Sequence, residues 1–178
     1  PLKYYRNNTC SSRTLLEACQ RHGVKNVVFS STAAVYGIPE GGHAAEDSPT
    51  SPINPYGTSK LMTEWMLRDL ALAGGPSYVA LRYFNVAGCE PSGTIGQSTP
   101  KATLLVKVAC EAATGRRDKV SIFGTDYPTP DGTGLRDYIH VEDLATAHLD
   151  ALTYLRGGGE STTLNCGYGH GYSVREVL

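Results

Sequence analysis

The chain has 178 residues, of which 40% are hydrophobic and 19% charged, and its formal net charge is -1. This composition is typical of a globular protein with one domain, or with one domain and part of a second. The near-zero charge gives no reason to expect nucleic acid or an anionic membrane as a partner, and no apolar run approaches the ~20 residues that a membrane-spanning helix needs.

The first half of the chain predicts helices that alternate with buried strands. The first helix ends at Gly23, a typical helix C-cap, and Pro55 suits the start of the second. Each helix is followed by a run rich in β-branched or aromatic residues that ends in polar ones, which is typical of a buried parallel strand. The predicted elements are a helix over 3–22, a strand over 24–31, a loop over 37–55, a helix over 56–73 and a strand over 78–84.

The second half contains longer loops. The loop over 88–100 is longer than a compact connection needs, which favours a functional role. Gly167 to Gly171 imitates a dinucleotide-binding fingerprint, but its glycine spacing is wrong, and we interpret it as a turn. The remaining elements are a helix over 102–114, a strand over 120–123, a loop over 124–134, a helix over 141–155, a strand over 162–166 and a helix that begins near 173. Helices and strands in this order predict an α/β fold.

Cysteine and histidine patterns give no sign of a disulfide framework or a metal site. The five cysteines are scattered and include no C-x-x-C pair, which indicates reduced thiols in a cytoplasmic protein. No H-E-x-x-H or comparable ligand spacing occurs, so we expect no metal. The chain begins at Pro1 rather than Met and stops at Leu178 inside a predicted helix, and we therefore expect a fragment that lacks both ends.

A proton-transfer site is suggested by three side chains. Tyr56 and Lys60 are four residues apart and share one helical face, where an ammonium would lower the pKa of the phenol. Thr32 follows a predicted strand whose carboxyl end is where ligands of parallel sheets bind. A base, a cation and an orienting hydroxyl are what proton transfer beside a hydride carrier requires. The alternative, that residues 30–32 merely cap a strand end, is left open by spacing alone.

Arginines supply candidate phosphate ligands. Arg136, together with Arg116 and Arg117, could bind a diphosphate through bidentate hydrogen bonds. For Arg116 and Arg117 the sequence slightly favours surface ion pairs with nearby aspartates. His140 and His148 are interpreted as packing residues rather than as ligands.

Several ordered blocks of the chain resemble the extended short-chain dehydrogenase/reductase superfamily, and within it the UDP-glucose 4-epimerase family. The resemblance covers essentially the whole chain and is far more specific than Y-x-x-x-K alone. The blocks are PLKYY at 1–5, NN at 7–8, FSSTAAVYG at 29–37, NPYGTSK at 54–60, LRYFN at 81–85, GRR at 115–117, FGTDYPTPDGTG at 123–134 and RDYIHV at 136–141.

This resemblance implies an NAD-dependent 4-epimerisation of UDP-glucose or UDP-galactose through a transient 4-keto sugar. Residues 1–90 would be the C-terminal half of a Rossmann-like, doubly wound NAD-binding domain, and 91–178 an incomplete UDP-sugar-binding α/β region interleaved with it. A homodimer through the helices over 3–22 and 56–73 is expected by analogy.

The same resemblance assigns roles to individual residues. Tyr56 would be the base, Lys60 would lower its pKa and bind the nicotinamide ribose, and Thr32 would hydrogen-bond the oxygen on C4. Asn7 and Phe84 match positions that contact the cofactor. The positions that match UDP-sugar contacts, in addition to Thr32 and Tyr56, are Asn85, Leu105, Ser121, Ile122, Phe123 and Arg136.

Three departures from the family's pattern keep alternatives open. The glycine-rich NAD fingerprint is absent from these residues, as is the C-terminal part of the sugar-binding domain. Leu104 stands where relatives usually have Asn or His. A non-catalytic, UDP-sugar-binding piece is therefore one alternative, and an epimerase for UDP-xylose and UDP-arabinose or for N-acetylated sugars is another. A dehydratase is disfavoured, because Ala33 and Ala34 stand where the dehydratases have an Asp-Glu pair.

Overall fold

The computed structural model describes all 178 residues, which divide into two units. The first unit comprises Pro1–Tyr83 and Thr146–Cys166, and the second comprises Phe84–Ala145 and Gly167–Leu178. The helices are α1 (Leu2–Tyr4), α2 (Ser11–Arg21), α3 (Pro55–Leu72), α4 (Leu105–Ala113), α5 (Val141–Arg156) and α6 (Val174–Val177). The strands are β1 (Asn26–Ser30), β2 (Ser77–Tyr83), β3 (Asn85–Ala87), β4 (Leu135–His140), β5 (Thr162–Cys166) and β6 (Gly171–Ser173). None of the helices is both long enough and apolar enough to cross a membrane.

The first unit contains a parallel three-stranded sheet in the order β1-β2-β5. Val28 pairs with Val79, and Ala80 pairs with Thr163. β2 is buried along nearly its whole length, as expected of a central strand in a parallel sheet. The predicted α/β fold with a parallel sheet is therefore confirmed.

Packing of α2 and α3 on β2 forms the main core of this unit. Leu16 of α2, Leu67 of α3 and Tyr78 and Ala80 of β2 are buried in one cluster. Burial of a large apolar side chain stabilises a fold by roughly 1.5–3 kcal/mol. The cluster therefore fixes α3 against the sheet, and with it the helical face that begins at Tyr56.

The predicted helix over 3–22 contains an irregularity that the sequence does not indicate. Between α1 and α2 the backbone runs as a π-helix over Tyr5–Cys10. Short π-helical turns inside α-helices are frequent at functional sites. This turn includes Asn7, one of the predicted cofactor contacts.

In the second unit the strands differ from those predicted. β3 and β4 pair in parallel, and β4 and β6 pair antiparallel, although the sequence predicted none of the three. The strand predicted over 120–123 is wrong: these residues pair with no neighbouring strand, and Phe123 is 87% exposed. A β-branched and aromatic run becomes a strand only where a partner strand accepts its backbone hydrogen bonds.

The glycine-rich segment after β5 is a turn, as predicted. The carboxylate of Asp137 accepts hydrogen bonds from the backbone N–H groups of Tyr168 at 3.0 Å and Gly169 at 2.8 Å. A Cβ on Gly167 would lie 2.7 Å from that carboxylate, so a larger residue could not approach as closely. The Asp137 carboxylate therefore accepts the backbone N–H groups of the segment that imitates a phosphate-binding loop.

Candidate active site

The start of α3 is fixed by local sequence. Asn54 is its N-cap, and the Asn54 side chain accepts the N–H of Gly57 at 2.9 Å. Pro55 at the first helical position has the backbone angle that a helix requires. A Cβ on Gly57 would lie 2.5 Å from the carbonyl oxygen of Ala34, so glycine allows the helix to begin against the turn that follows Thr32.

Thr32 begins that turn and contacts Tyr56. Its backbone is extended and its hydroxyl accepts the N–H of Ala34 at 3.2 Å, which caps a single 3₁₀ turn over Ala33–Val35. The Thr32 side chain also lies close enough to the Tyr56 phenol to lower its pKa. The structure therefore brings together two of the three predicted catalytic side chains.

Burial raises the pKa of Tyr56 above its ordinary value, and the hydrogen bond with Thr32 opposes this rise without outweighing it. The prediction that Lys60 lowers the pKa of Tyr56 is therefore wrong, because the pKa is raised and Lys60 is not among the groups that shift it. The spacing of the two side chains can be read from the sequence, whereas their burial cannot. Loss of hydration disfavours the phenolate more than nearby groups favour it.

The Lys60 side chain contacts the carboxyl end of β1. Its ammonium donates to the carbonyl oxygen of Ser30 at 3.0 Å and lies 5.1 Å from the centroid of the Phe29 ring. Burial lowers the pKa of Lys60. The Ser30 hydroxyl is in turn 2.8 Å from Nε2 of His148, which gives this histidine a polar contact rather than a purely packing role.

The π-helical turn contacts the same part of α3. Asn8 donates to the hydroxyl of Ser59 at 2.9 Å, and that hydroxyl donates to the carbonyl oxygen of Tyr56 at 2.8 Å. Ser59 is completely buried, whereas Asn7 is exposed. The irregular turn thus holds the first turn of α3 through Asn8 and leaves the amide of Asn7 accessible.

The remaining predicted contacts belong to the second unit. Asn85 lies in β3, pairs with Tyr138 and donates to the carbonyl oxygen of Asp137 at 3.3 Å. Arg136 lies two residues before Tyr138 and is exposed, with Nη1 donating to the carbonyl oxygen of Leu135 at 2.6 Å. The structure therefore places Asn85 and Arg136 on neighbouring strands.

The other predicted ligand contacts are distributed along the second unit. Phe84 is half-buried just before β3, and Leu105 is the first residue of α4. Ser121, Ile122 and Phe123 are exposed in the extended segment that follows α4. Arg117 pairs with Glu111 at 3.0 Å, so a surface ion pair is confirmed for it, although not with an aspartate.

A buried polar network beside Thr32 was missed by the sequence interpretation. Ser31 is completely buried, and Glu64 and Arg82 are 5% and 7% exposed and form an ion pair at 2.6 Å. Two signals could have revealed it. Glu64 lies on the same face of α3 as Tyr56 and Lys60, and Arg82 interrupts an apolar strand.

Comparisons with known proteins agree with this fold. The model of the NAD dependent epimerase/dehydratase family matches residues 1–167. The chain is 66% identical over its whole length to the UDP-glucose 4-epimerase of Azospirillum brasilense, of which it covers 51%. The chain therefore spans about half the length of the curated relatives it matches.

Solved structures give the same result. The UDP-glucose 4-epimerase from Brucella ovis in complex with NAD has a TM-score of 0.96 and 47% sequence identity, over 100% of this chain and 55% of the other. The Bifidobacterium longum UDP-glucose 4-epimerase in complex with NAD+ and UDP has a TM-score of 0.90 and 45% identity, over 99% of this chain and 53% of the other.

Proposed function

The chain belongs to the NAD dependent epimerase/dehydratase family, and we propose that the protein that contains it interconverts UDP-glucose and UDP-galactose through a transient 4-keto sugar. The observation that carries the proposal is that α3, which presents Tyr56 and Lys60, begins against the turn that Thr32 opens and so places Thr32 beside the Tyr56 phenol. The alignment with the UDP-glucose 4-epimerase of Azospirillum brasilense covers all of these residues.

Tyr56 is the residue that we assign to proton transfer at the oxygen on C4. Oxidation of C4 removes the hydroxyl proton, and reduction of the keto group returns it, so one group must both accept and donate. Burial keeps the phenol protonated in its resting form. Its use as a base depends on groups next to it that favour the phenolate, and Thr32 is one of them.

NAD, when bound, supplies the hydride acceptor for C4 and the donor that returns the hydride. We propose that Asn7, Thr32, Tyr56, Lys60 and Phe84 contribute to its binding. The residues present fit this group, because the accessible amide of Asn7 and the ammonium of Lys60 are hydrogen-bond donors suited to ribose hydroxyls.

Most of the proposed UDP-sugar contacts are residues of the second unit. Arg136 offers an exposed guanidinium for the diphosphate, and Phe123 offers an exposed aromatic ring. The proposed contacts are Asn85, Leu105, Ser121, Ile122, Phe123 and Arg136, in addition to Thr32 and Tyr56 of the first unit. In this proposal residues 1–90 belong to the NAD-binding domain and 91–178 to the sugar-binding region.

The five cysteines are free thiols, which supports a reducing compartment and hence a cytoplasmic location.

The function is tested by incubating the full gene product with UDP-galactose and NAD and following UDP-glucose by chromatography or NMR. Formation of UDP-glucose that requires Tyr56 supports the proposal. Binding of the UDP-sugar without turnover would instead support the non-catalytic alternative. Conversion of UDP-xylose at a higher kcat/KM than UDP-galactose would support the pentose epimerase.

Thr32 offers a matched pair of variants. We expect Thr32→Ala to lower kcat about 10- to 100-fold, because a hydrogen bond made to the reacting oxygen is lost in the transition state. Thr32→Ser keeps the hydroxyl and should retain kcat within about threefold. Steady-state kinetics with UDP-galactose measures both, and equal losses in the two variants would contradict the assignment of the hydroxyl.

We also propose that the protein is a homodimer through α2 and α3. Leu15 of α2 is 63% exposed and Leu72 of α3 is 81% exposed, and between the two helices lies a groove of about 430 Å³ that Leu16, Met66 and Leu70 help to line. Exposed leucines beside such a groove are typical of an interface core.

Leu15→Asp should convert the dimer to a monomer, because an unpaired carboxylate in an apolar interface loses its hydration. Sedimentation equilibrium of the full gene product measures the change. Leu149→Asp is the matched control, because Leu149 is a similarly exposed leucine on α5, and this variant should stay dimeric. A wild-type monomer, or a dimer that persists in Leu15→Asp, would contradict this interface.

A further inference from the structure

Three side chains of α3 contact the residues at the carboxyl end of β1 and immediately after it. Tyr56 lies beside Thr32, Lys60 donates to the carbonyl oxygen of Ser30, and Glu64 accepts the hydroxyl of Ser31. Residues at this spacing of four lie on one face of a helix. The face that carries the proposed catalytic pair therefore continues into a third contact, made by Glu64.

The Glu64 carboxylate is in turn held by Arg82 of β2. Arg82 donates through Nε at 3.1 Å and through Nη2 at 2.6 Å to the two carboxylate oxygens. Its Nη1 donates to the hydroxyl of Tyr36 at 2.9 Å, which donates to the Asn165 side chain at 2.8 Å. A two-point arginine–carboxylate pair fixes orientation as well as distance.

The ion pair of Glu64 and Arg82 binds the residue before Thr32 and a residue that follows the turn after it. Ser31 immediately precedes Thr32, and its completely buried hydroxyl is bound by Glu64. Tyr36 follows the turn that Thr32 begins, is 2% exposed and is bound by Arg82. One ion pair thus anchors the segment before Thr32 and the segment after it.

We propose that Glu64 and Arg82 are positioning residues, which hold the Thr32 hydroxyl and the Tyr56 phenol in the mutual geometry that proton transfer requires. The inference rests on the proposed function, since it concerns the same site. Neither residue touches the reacting atoms in this role. Displacement of a reacting group by about 1 Å can cost about 100-fold in rate, so loss of the network should be visible in kcat.

The test compares Glu64→Gln with Leu67→Ala in the full gene product. Leu67 lies one turn further along α3, is 1% exposed and packs in the apolar cluster, so its truncation weakens the fold without touching the network. We expect Glu64→Gln to lower kcat about tenfold or more with KM for the UDP-sugar within about threefold. Leu67→Ala should keep kcat within about twofold well below its unfolding temperature.

Ser31→Ala is a second variant, because it removes only the contact between Glu64 and the strand end. It should lower kcat in the same direction as Glu64→Gln, and it keeps the ion pair of Glu64 with Arg82. If both variants retain the wild-type kcat while their unfolding temperatures fall as in Leu67→Ala, the network has only a structural role and the inference is overturned.

A measurement that needs no turnover separates this inference from the proposed function. Titration of Tyr56 by NMR with ¹³Cζ-labelled tyrosine, assigned with Tyr56→Phe, reports its interaction with Thr32. That interaction lowers the pKa of Tyr56, so Ser31→Ala, which loosens the segment before Thr32 without removing a charge, should raise the pKa further. A wild-type protein without turnover would refute the proposed function, whereas an unchanged titration of Tyr56 in Ser31→Ala would refute the positioning role.

Discussion

Replacing Tyr56 with Phe should lower kcat by about 10²–10⁴-fold, which is the contribution typical of a positioned general acid–base group. Binding of the UDP-sugar should stay within about threefold, because Phe keeps the ring and loses only the hydroxyl. In the structure that hydroxyl lies beside the Thr32 side chain. Both the proton acceptor for oxidation of C4 and the proton donor for the return step would be removed.

Tyr4→Phe is the matched control for this experiment. The rings of Tyr4 and Tyr56 meet edge to face with centroids 6.0 Å apart, so the control deletes a neighbouring phenol hydroxyl at the same site. Turnover of Tyr4→Phe should equal that of the wild type within about twofold. Steady-state kinetics gives kcat, and calorimetry gives the affinity for UDP-glucose. If Tyr56→Phe kept near-normal turnover, Tyr56 would not be the proton-transfer residue.

The elements that carry the site could be predicted from sequence because each is encoded locally. The spacing of Tyr56 and Lys60, the cap at Asn54 and the polar end of β1 are all encoded within short segments. The direction of the Tyr56 pKa shift could not be predicted. It depends on how much water the folded chain removes from the phenol, which is a property of packing between distant segments.

In the fold, too, single helices and strands could be predicted from short segments, whereas the pairing of distant strands could not. Helices α2, α3 and α5 follow from apolar periodicity and end signals, and β1, β2 and β5 from apolar runs. The pairing of β4 with β6 joins Arg136 to Tyr172, and nothing in either short segment indicates its partner. The exposed residues 120–123 are the converse case, in which strand-forming residues lack a partner.

Glu64 and Arg82 are charged side chains that are buried where apolar side chains are usual. Burial opposes the charge of Arg82, but the hydrogen bonds with Glu64 and Tyr36 outweigh it, so the pKa of Arg82 is raised. Buried ion pairs often stabilise a fold no better than apolar residues of the same volume would. Their presence beside Thr32 is therefore explained better by orientation than by stability.

Arg82→Met should lower the free energy of unfolding by about 3–5 kcal/mol, because the Glu64 carboxylate would stay buried without its cation. Urea unfolding of the full gene product, with linear extrapolation, measures the loss. Arg13→Met is the matched control, since Arg13 pairs with Glu17 at 2.7 Å on the exposed surface of α2. The same substitution there should cost less than about 1 kcal/mol.

The double variant Glu64→Gln/Arg82→Met removes both buried charges and should recover most of the stability that Arg82→Met loses, because no uncompensated charge remains. It should not recover kcat, because the two-point contact that orients the segments around Thr32 is still absent. A loss below about 1 kcal/mol in Arg82→Met would contradict the burial of the pair. Recovery of both stability and kcat in the double variant would show that the pair acts through stability alone.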